Sequence, residues 1–67
     1  MMPEPIWALR YADGTWHAPD HYVSYKTSDP KLAKPFYGDS GKFHAELYLR
    51  HSKGEVVLHP HPEVWSS

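Results

Sequence analysis

The feature that most constrains this chain is the dipeptide Asp13-Gly14, which stands between two segments where apolar and polar residues alternate. Asp-Gly is a preferred centre for a two-residue β-hairpin turn, because both central positions of that turn need a positive φ. Such a turn places Tyr11 opposite Trp16, and strand alternation puts Trp7 on the same face as Tyr11. The sequence therefore predicts an antiparallel sheet that begins with a tight hairpin.

A second hairpin is predicted further along the chain. Residues 43–51 (FHAELYLRH) alternate between apolar and polar, and residues 55–59 (EVVLH) are typical of a strand. A short loop around Lys53-Gly54 would pair Leu49 with Leu58, which keeps apolar residues on one face. Alternation alone thus indicates two further strands.

Prolines mark the ends of several predicted elements. Pro60 follows the last predicted strand at a position whose missing N–H would point away from the neighbouring strand, so we expect that strand to lie at a sheet edge. Asp29 followed by Pro30 is typical of a helix start, and Pro35 limits that helix to about one turn. Residues 21–27 (HYVSYKT) are predicted to form a middle strand, and residues 36–42 are predicted to form a loop.

Together these signals predict one α+β domain, mostly β, over residues 1–67. We expect a small antiparallel sheet of four or five strands, made of two tight hairpins plus a middle strand. One short helix or 3-10 turn is expected near residues 29–34. One face of this sheet should be covered, and a homodimer that covers the other face is left open.

Length and charge restrict the classes of protein. A domain of about 60 residues buries only about 60% of its unfolded surface, and this 67-residue chain has no cysteine to form a disulfide. A reducing, cytoplasmic setting is therefore favoured over a secreted one. No segment approaches the ~18 apolar residues of a membrane span, so no membrane partner is expected. The net charge of -1 argues against a strongly basic nucleic-acid binder.

Ten aromatic residues exceed what a thin core can enclose. The rings assigned to the core are Trp7, Trp16 and Phe43. The candidate partner-binding residues are Tyr37, Tyr48, Arg50 and Trp65, because Tyr, Trp and Arg anchor many protein interfaces. Trp65 follows a proline-rich segment, and two alternatives stay open: it folds back onto the sheet, or it projects into a partner.

Two alternative sites come from the remaining side chains. In the second hairpin the predicted register puts on one face a set that suits Zn²⁺, namely His44, Glu46, His59 and His61. The lysines around the short helix form a candidate nucleic-acid surface, namely Lys26, Lys31, Lys34 and Lys42.

The leading functional hypothesis is a non-enzymatic protein-binding module that needs no cofactor. We expect a small intracellular regulator or inhibitor of a larger protein, in the style of phage-encoded inhibitors of host enzymes or defence systems. That comparison rests on size alone, and size does not establish function. The alternatives are a nucleic-acid-binding β protein, and a zinc-binding protein or small enzyme subunit.

Overall fold

The computed structural model describes residues 4–66, and within them the sheet is built around one strand. In chain order the elements are β1 (Ile6–Tyr11), β2 (Trp16–His17), β3 (Lys26–Thr27), β4 (Phe36–Tyr37), α1 (Gly38–Tyr48) and β5 (Gly54–Leu58), with 3-10 turns at Pro30–Leu32 and Pro62–Val64. The predicted α+β class, mostly β with a small antiparallel sheet of four or five strands, is confirmed, and the sheet has five strands.

Strand β1 is central because its backbone is paired on both sides. On one side the His59 N–H donates to Ile6 O, and β5 runs antiparallel to β1 from Trp7 to Tyr11. On the other side the Tyr11 N–H donates to Thr15 O beside β2, and β4 pairs with the beginning of β1. Strand β3 continues the sheet beyond β2. Strand β5 pairs with no strand other than β1 within residues 4–66, so the expected edge position is confirmed.

The first hairpin forms, but its predicted register is wrong by one residue. Trp16 pairs with Arg10 instead of Tyr11, because the loop has three residues. Gly14 takes a φ of 90°, as the last residue of a three-residue hairpin loop does. The Asp13 carboxylate holds this loop by accepting from the Thr15 N–H at 2.9 Å and from the Thr15 hydroxyl at 2.6 Å. The side-chain period of a strand is two, so the slip moves every later side chain to the other face.

The prediction of a second hairpin is wrong, because residues 38–48 form α1 instead of a loop and a strand. Gly41, Ala45 and Leu49 recur every four residues, and a four-residue repeat fits both the period of a strand and that of a helix. The structure selects the helix, in which Ala45 is completely buried. Strand β5 is present as expected, but its partner is β1.

Small side chains let α1 approach the sheet closely. A Cβ atom added at Gly41 would lie 2.6 Å from the Phe36 carbonyl carbon, so the helix and β4 touch backbone to backbone. The core between them contains Leu9, Tyr11 and Phe36, all buried, with Trp7 and Val56 packed against it. Trp7 thus contributes to the core as expected, whereas Trp16 is half-buried and lies below the Arg10 guanidinium.

The two 3-10 turns cover part of the other face of the sheet, on which Arg10 and Glu55 remain exposed. His59 extends from this face and its Nε2 lies 2.8 Å from Ala33 O, next to the first turn. That turn begins at Asp29, whose side chain accepts from the Lys31 N–H. The expected turn near residues 29–34 is therefore confirmed. The middle strand is shorter than expected, since only residues 26–27 of 21–27 are extended in the sheet.

Substitution of Gly41 by Ala tests the close helix contact. Alanine favours a helix by about 1 kcal/mol over glycine, but overpacking costs about 1–3 kcal/mol. We expect G41A to lower the free energy of unfolding in urea. The control S40A changes an exposed position on the same helix and should shift stability by less than about 0.5 kcal/mol. A stabilised G41A would contradict the contact.

Candidate functional site

The most exposed apolar residues of the helix lie on the side of α1 that faces away from the sheet. Phe43 is 65% exposed and Leu47 is 38% exposed. The two are one helical turn apart, so their side chains are neighbours. We call Phe43, Leu47 and their helical neighbours His44 and Tyr48 the α1 outer face. The expectation that Phe43 belongs to the core is wrong, because Gly41 and Ala45 occupy the inward side of the helix.

Ring contacts fix the α1 outer face to the interior. The Tyr48 ring lies 4.5 Å from the His17 ring and 6.0 Å from the Phe36 ring, centroid to centroid. The His44 ring lies 5.4 Å from the Tyr48 ring. Between His44, Leu47 and Tyr48 is an open depression of about 280 Å³. The exposed pair thus sits on a helix whose adjacent rings are held in place before any partner binds.

Below this face lies a buried pair that the sequence did not indicate. The Tyr11 hydroxyl and Nδ1 of His17 are 2.8 Å apart, and both side chains are buried. Burial lowers the pKa of His17, and the nearby Lys34 lowers it further, while Asp20 acts in the opposite direction. Burial also raises the pKa of the Tyr11 hydroxyl. The pair is therefore neutral at pH 7 and supports the Tyr48 ring from below.

Two of the predicted partner-binding residues, Tyr37 and Trp65, are joined to each other by a hydrogen bond. The Tyr37 hydroxyl donates to Trp65 O at 3.0 Å, and the Trp65 indole N–H donates to Lys31 O at 3.1 Å. Of the two alternatives for Trp65, the structure shows the one in which it folds back. We call these two hydrogen bonds the Trp65 clasp. Tyr48 and Arg50, the other two predicted residues, lie at the end of α1.

The four candidate nucleic-acid lysines are spread over different surroundings. Lys26 pairs with Asp13 at 2.8 Å and Lys34 pairs with Asp20 at 2.8 Å. These contacts lower the pKa of both carboxyl groups, since the hydrogen bond from each lysine stabilises the charged form. Lys42 lies 4.7 Å above the Trp7 ring. Lys31 is exposed in the first 3-10 turn. Two of the four charges are therefore balanced by carboxylates.

The candidate zinc residues do not share a face, because His44 and Glu46 are helical whereas His59 follows β5. Nδ1 of His59 accepts from the His61 N–H, and His61 is 3.2 Å from the Glu63 carboxylate. Within the described residues 4–66, no group of three or more His, Cys, Asp or Glu side chains is placed to hold a metal ion. The arrangement that prompted the zinc hypothesis is therefore not the one observed.

Comparison with protein-family models, with curated proteins and with solved structures finds no match to this chain. None of the helices between residues 4 and 66 is long and apolar enough to cross a bilayer.

The buried His17 predicts a loss of stability on mild acidification. Because its folded pKa is below the ordinary value of 6.5, the unfolded chain binds a proton first as the pH falls. The stability that the neutral His17 contributes is fully present above about pH 6.5. It decreases as the pH falls further, and the free energy of unfolding drops by no more than about 1.4 kcal/mol per pH unit. Urea unfolding measured between about pH 7.5 and 5.5 should show the free energy of unfolding decreasing as the pH falls. H17Q should reduce the slope of this dependence.

The matched control for this experiment is H21Q, which replaces an exposed histidine and should keep the wild-type slope. Asp13, Asp20 and Glu63 have lowered pKa values and lose their contributions only in more acidic solution. An unchanged slope in H17Q would contradict the assignment to His17.

The Trp65 clasp predicts a stability effect of its own. W65A removes the indole hydrogen bond and the packing of a half-buried ring, so we expect a loss of about 1–3 kcal/mol in the free energy of unfolding. V23A, at a completely exposed position, should change it by less than about 0.5 kcal/mol. Thermal unfolding followed by circular dichroism measures both, and equal melting curves would show that the indole side of the clasp contributes nothing.

Proposed function

We propose that this chain is a non-enzymatic protein-binding module, a small intracellular regulator or inhibitor that attaches to a larger protein through the α1 outer face. The observation that carries the proposal is the exposure of Phe43 and Leu47 on a helix whose neighbouring rings are fixed. Neighbouring rings that are already held by contacts within the chain lose little conformational entropy when a partner binds beside them.

The spacing of the exposed pair defines the partner surface. Side chains at positions i and i+4 of a helix enter an apolar groove from one side, as in other helix-in-groove complexes. Phe43 and Leu47 are the proposed anchors, with Tyr48 at their side. Arg50 is exposed three residues after Leu47, where a guanidinium would contact the polar rim of such a groove. We therefore propose a partner with an apolar groove that is acidic near one end.

A capture experiment with matched variants tests this surface. The purified chain is immobilised, the protein it retains from the source cell is identified, and that partner is then purified for affinity measurements. We expect F43A and L47A each to weaken binding by about 30-fold or more, which corresponds to about 2 kcal/mol. Both positions are exposed, so stability should change by less than about 0.5 kcal/mol.

The control is Y25A, because Tyr25 is 63% exposed, close to the 65% of Phe43, but lies on another part of the chain. Binding that survives F43A and L47A but is lost in Y25A would overturn the proposed surface. Retardation of labelled oligonucleotides at low salt, with a steep salt dependence that F43A leaves unchanged, would favour nucleic-acid binding instead.

A further inference from the structure

The outer edge of β5 presents a short row of backbone groups that point away from the sheet. The His59 N–H donates to Ile6 O and the Ala12 N–H donates to Lys53 O. Odd-numbered residues of this segment therefore face β1, and even-numbered residues face outward, because backbone groups alternate along an antiparallel pair. The outward residues of β5 are Gly54, Val56 and Leu58.

This edge lacks most of the features that prevent pairing. Natural edge strands are usually protected by proline, lysine or a covering element. The segment Gly54–Leu58 has no proline and no lysine. Within residues 4–66 no strand covers its outer side. The next outward position is Pro60, which has no N–H to donate, so the open edge ends there.

We propose that two copies of this chain pair through β5 and form a symmetric antiparallel dimer with one continuous sheet. In the register that uses every outward group, Val56 lies opposite Val56 of the second copy, and Gly54 lies opposite Leu58. These positions exchange about six hydrogen bonds across the interface. A shift that brings Pro60 into the interface would lose a donor, so the proline defines the register.

The side chains on the helix-covered face fit a second copy. Leu58 pairs with Trp7 and so belongs to that face, yet it is 62% exposed. Across the dimer it would lie beside Gly54 of the other copy. A Leu49 methyl carbon is 3.1 Å from the position that a Gly54 Cβ would occupy. Leu58 of one copy would therefore contact Leu49 of the other, and the twofold axis repeats the contact.

Charges on the opposite face are compatible with this register. Glu55 would lie opposite Val57 of the second copy, with the two Glu55 carboxylates in diagonal positions. On β1, Arg10 is the direct neighbour of Glu55 and is exposed. The diagonal arrangement keeps the two carboxylates from lying directly opposite each other, which limits the repulsion between them.

Sedimentation of the purified full chain tests the dimer. An edge-to-edge contact is small, so we expect a dimer that forms with concentration between about 5 and 500 µM. L58K puts a charge into the contact and should raise the dissociation constant at least about tenfold. The charge-matched control V23K, at a completely exposed position elsewhere, should dimerise as the wild type does. V56P removes an outward donor without removing a hydrogen bond to β1, and should also weaken the dimer.

Hydrogen exchange gives a readout that does not depend on variants. The amides of Val56 and Leu58 should exchange slowly only at concentrations where the dimer forms, whereas the Val57 amide, bonded toward β1, should be slow throughout. A monomer at about 500 µM, or equal dissociation constants for L58K and V23K, would overturn the proposal. The dimer proposal and the proposed function can fail independently of each other. F43A and L47A lie on α1, so they should leave the dimer unchanged even where they weaken binding of a partner.

Discussion

The pairing of β1 on both of its edges is the constraint on which the other elements depend. Strand β5 pairs with one edge, β2 and β4 share the other, and α1 packs on one face. Leu9, in the middle of β1, is completely buried, as is its neighbour Ala8 on the opposite face. A chain of 67 residues without cysteine cannot enclose two separate cores. All layers therefore meet at one strand, and each loop has to return the chain to it.

Small residues, more than rings, determine how closely the layers approach. Ala18, Ala33 and Ala45 are each 0–1% exposed, and Gly41 brings α1 against the backbone of β4. A core made with so many small side chains has little space for large ones. This explains why large apolar side chains remain at the surface, on the α1 outer face and along β5. The two proposed contact surfaces follow from the same property of the core, although they lie on different elements.

The sequence predicted the class of fold from local chemistry and missed features that depend on distant contacts. The Asp29-Pro30 start of the 3-10 turn and the edge position of β5 follow from single residues, and both are observed. The helix was missed because the four-residue repeat in residues 41–49 fits a strand as well. The register of the first hairpin depends on the Asp13 carboxylate, whose hydrogen bonds to Thr15 hold a loop one residue longer than expected.

The candidate site was predicted only in part for the same reasons. Tyr48 and Arg50 are candidates because of their residue type, which does not depend on the element that carries them. Phe43 and Leu47 could be recognised only once residues 38–48 were known to be helical, since alternation points both side chains inward. His17 entered the core through the one-residue slip of the hairpin. The contact between Tyr37 and Trp65 joins residues that no sequence pattern relates.

The pairing of β1 with β5 also determines when this protein can fold. Trp7 pairs with Leu58 and Tyr11 with Gly54, so more than forty residues separate the members of each pair. Closing such long loops costs entropy before any hydrogen bond is gained, and contacts between distant residues slow folding. During synthesis, one edge of the central strand has no partner until residues 54–58 have left the ribosome. The sheet is therefore completed only after residues 54–58 have been made.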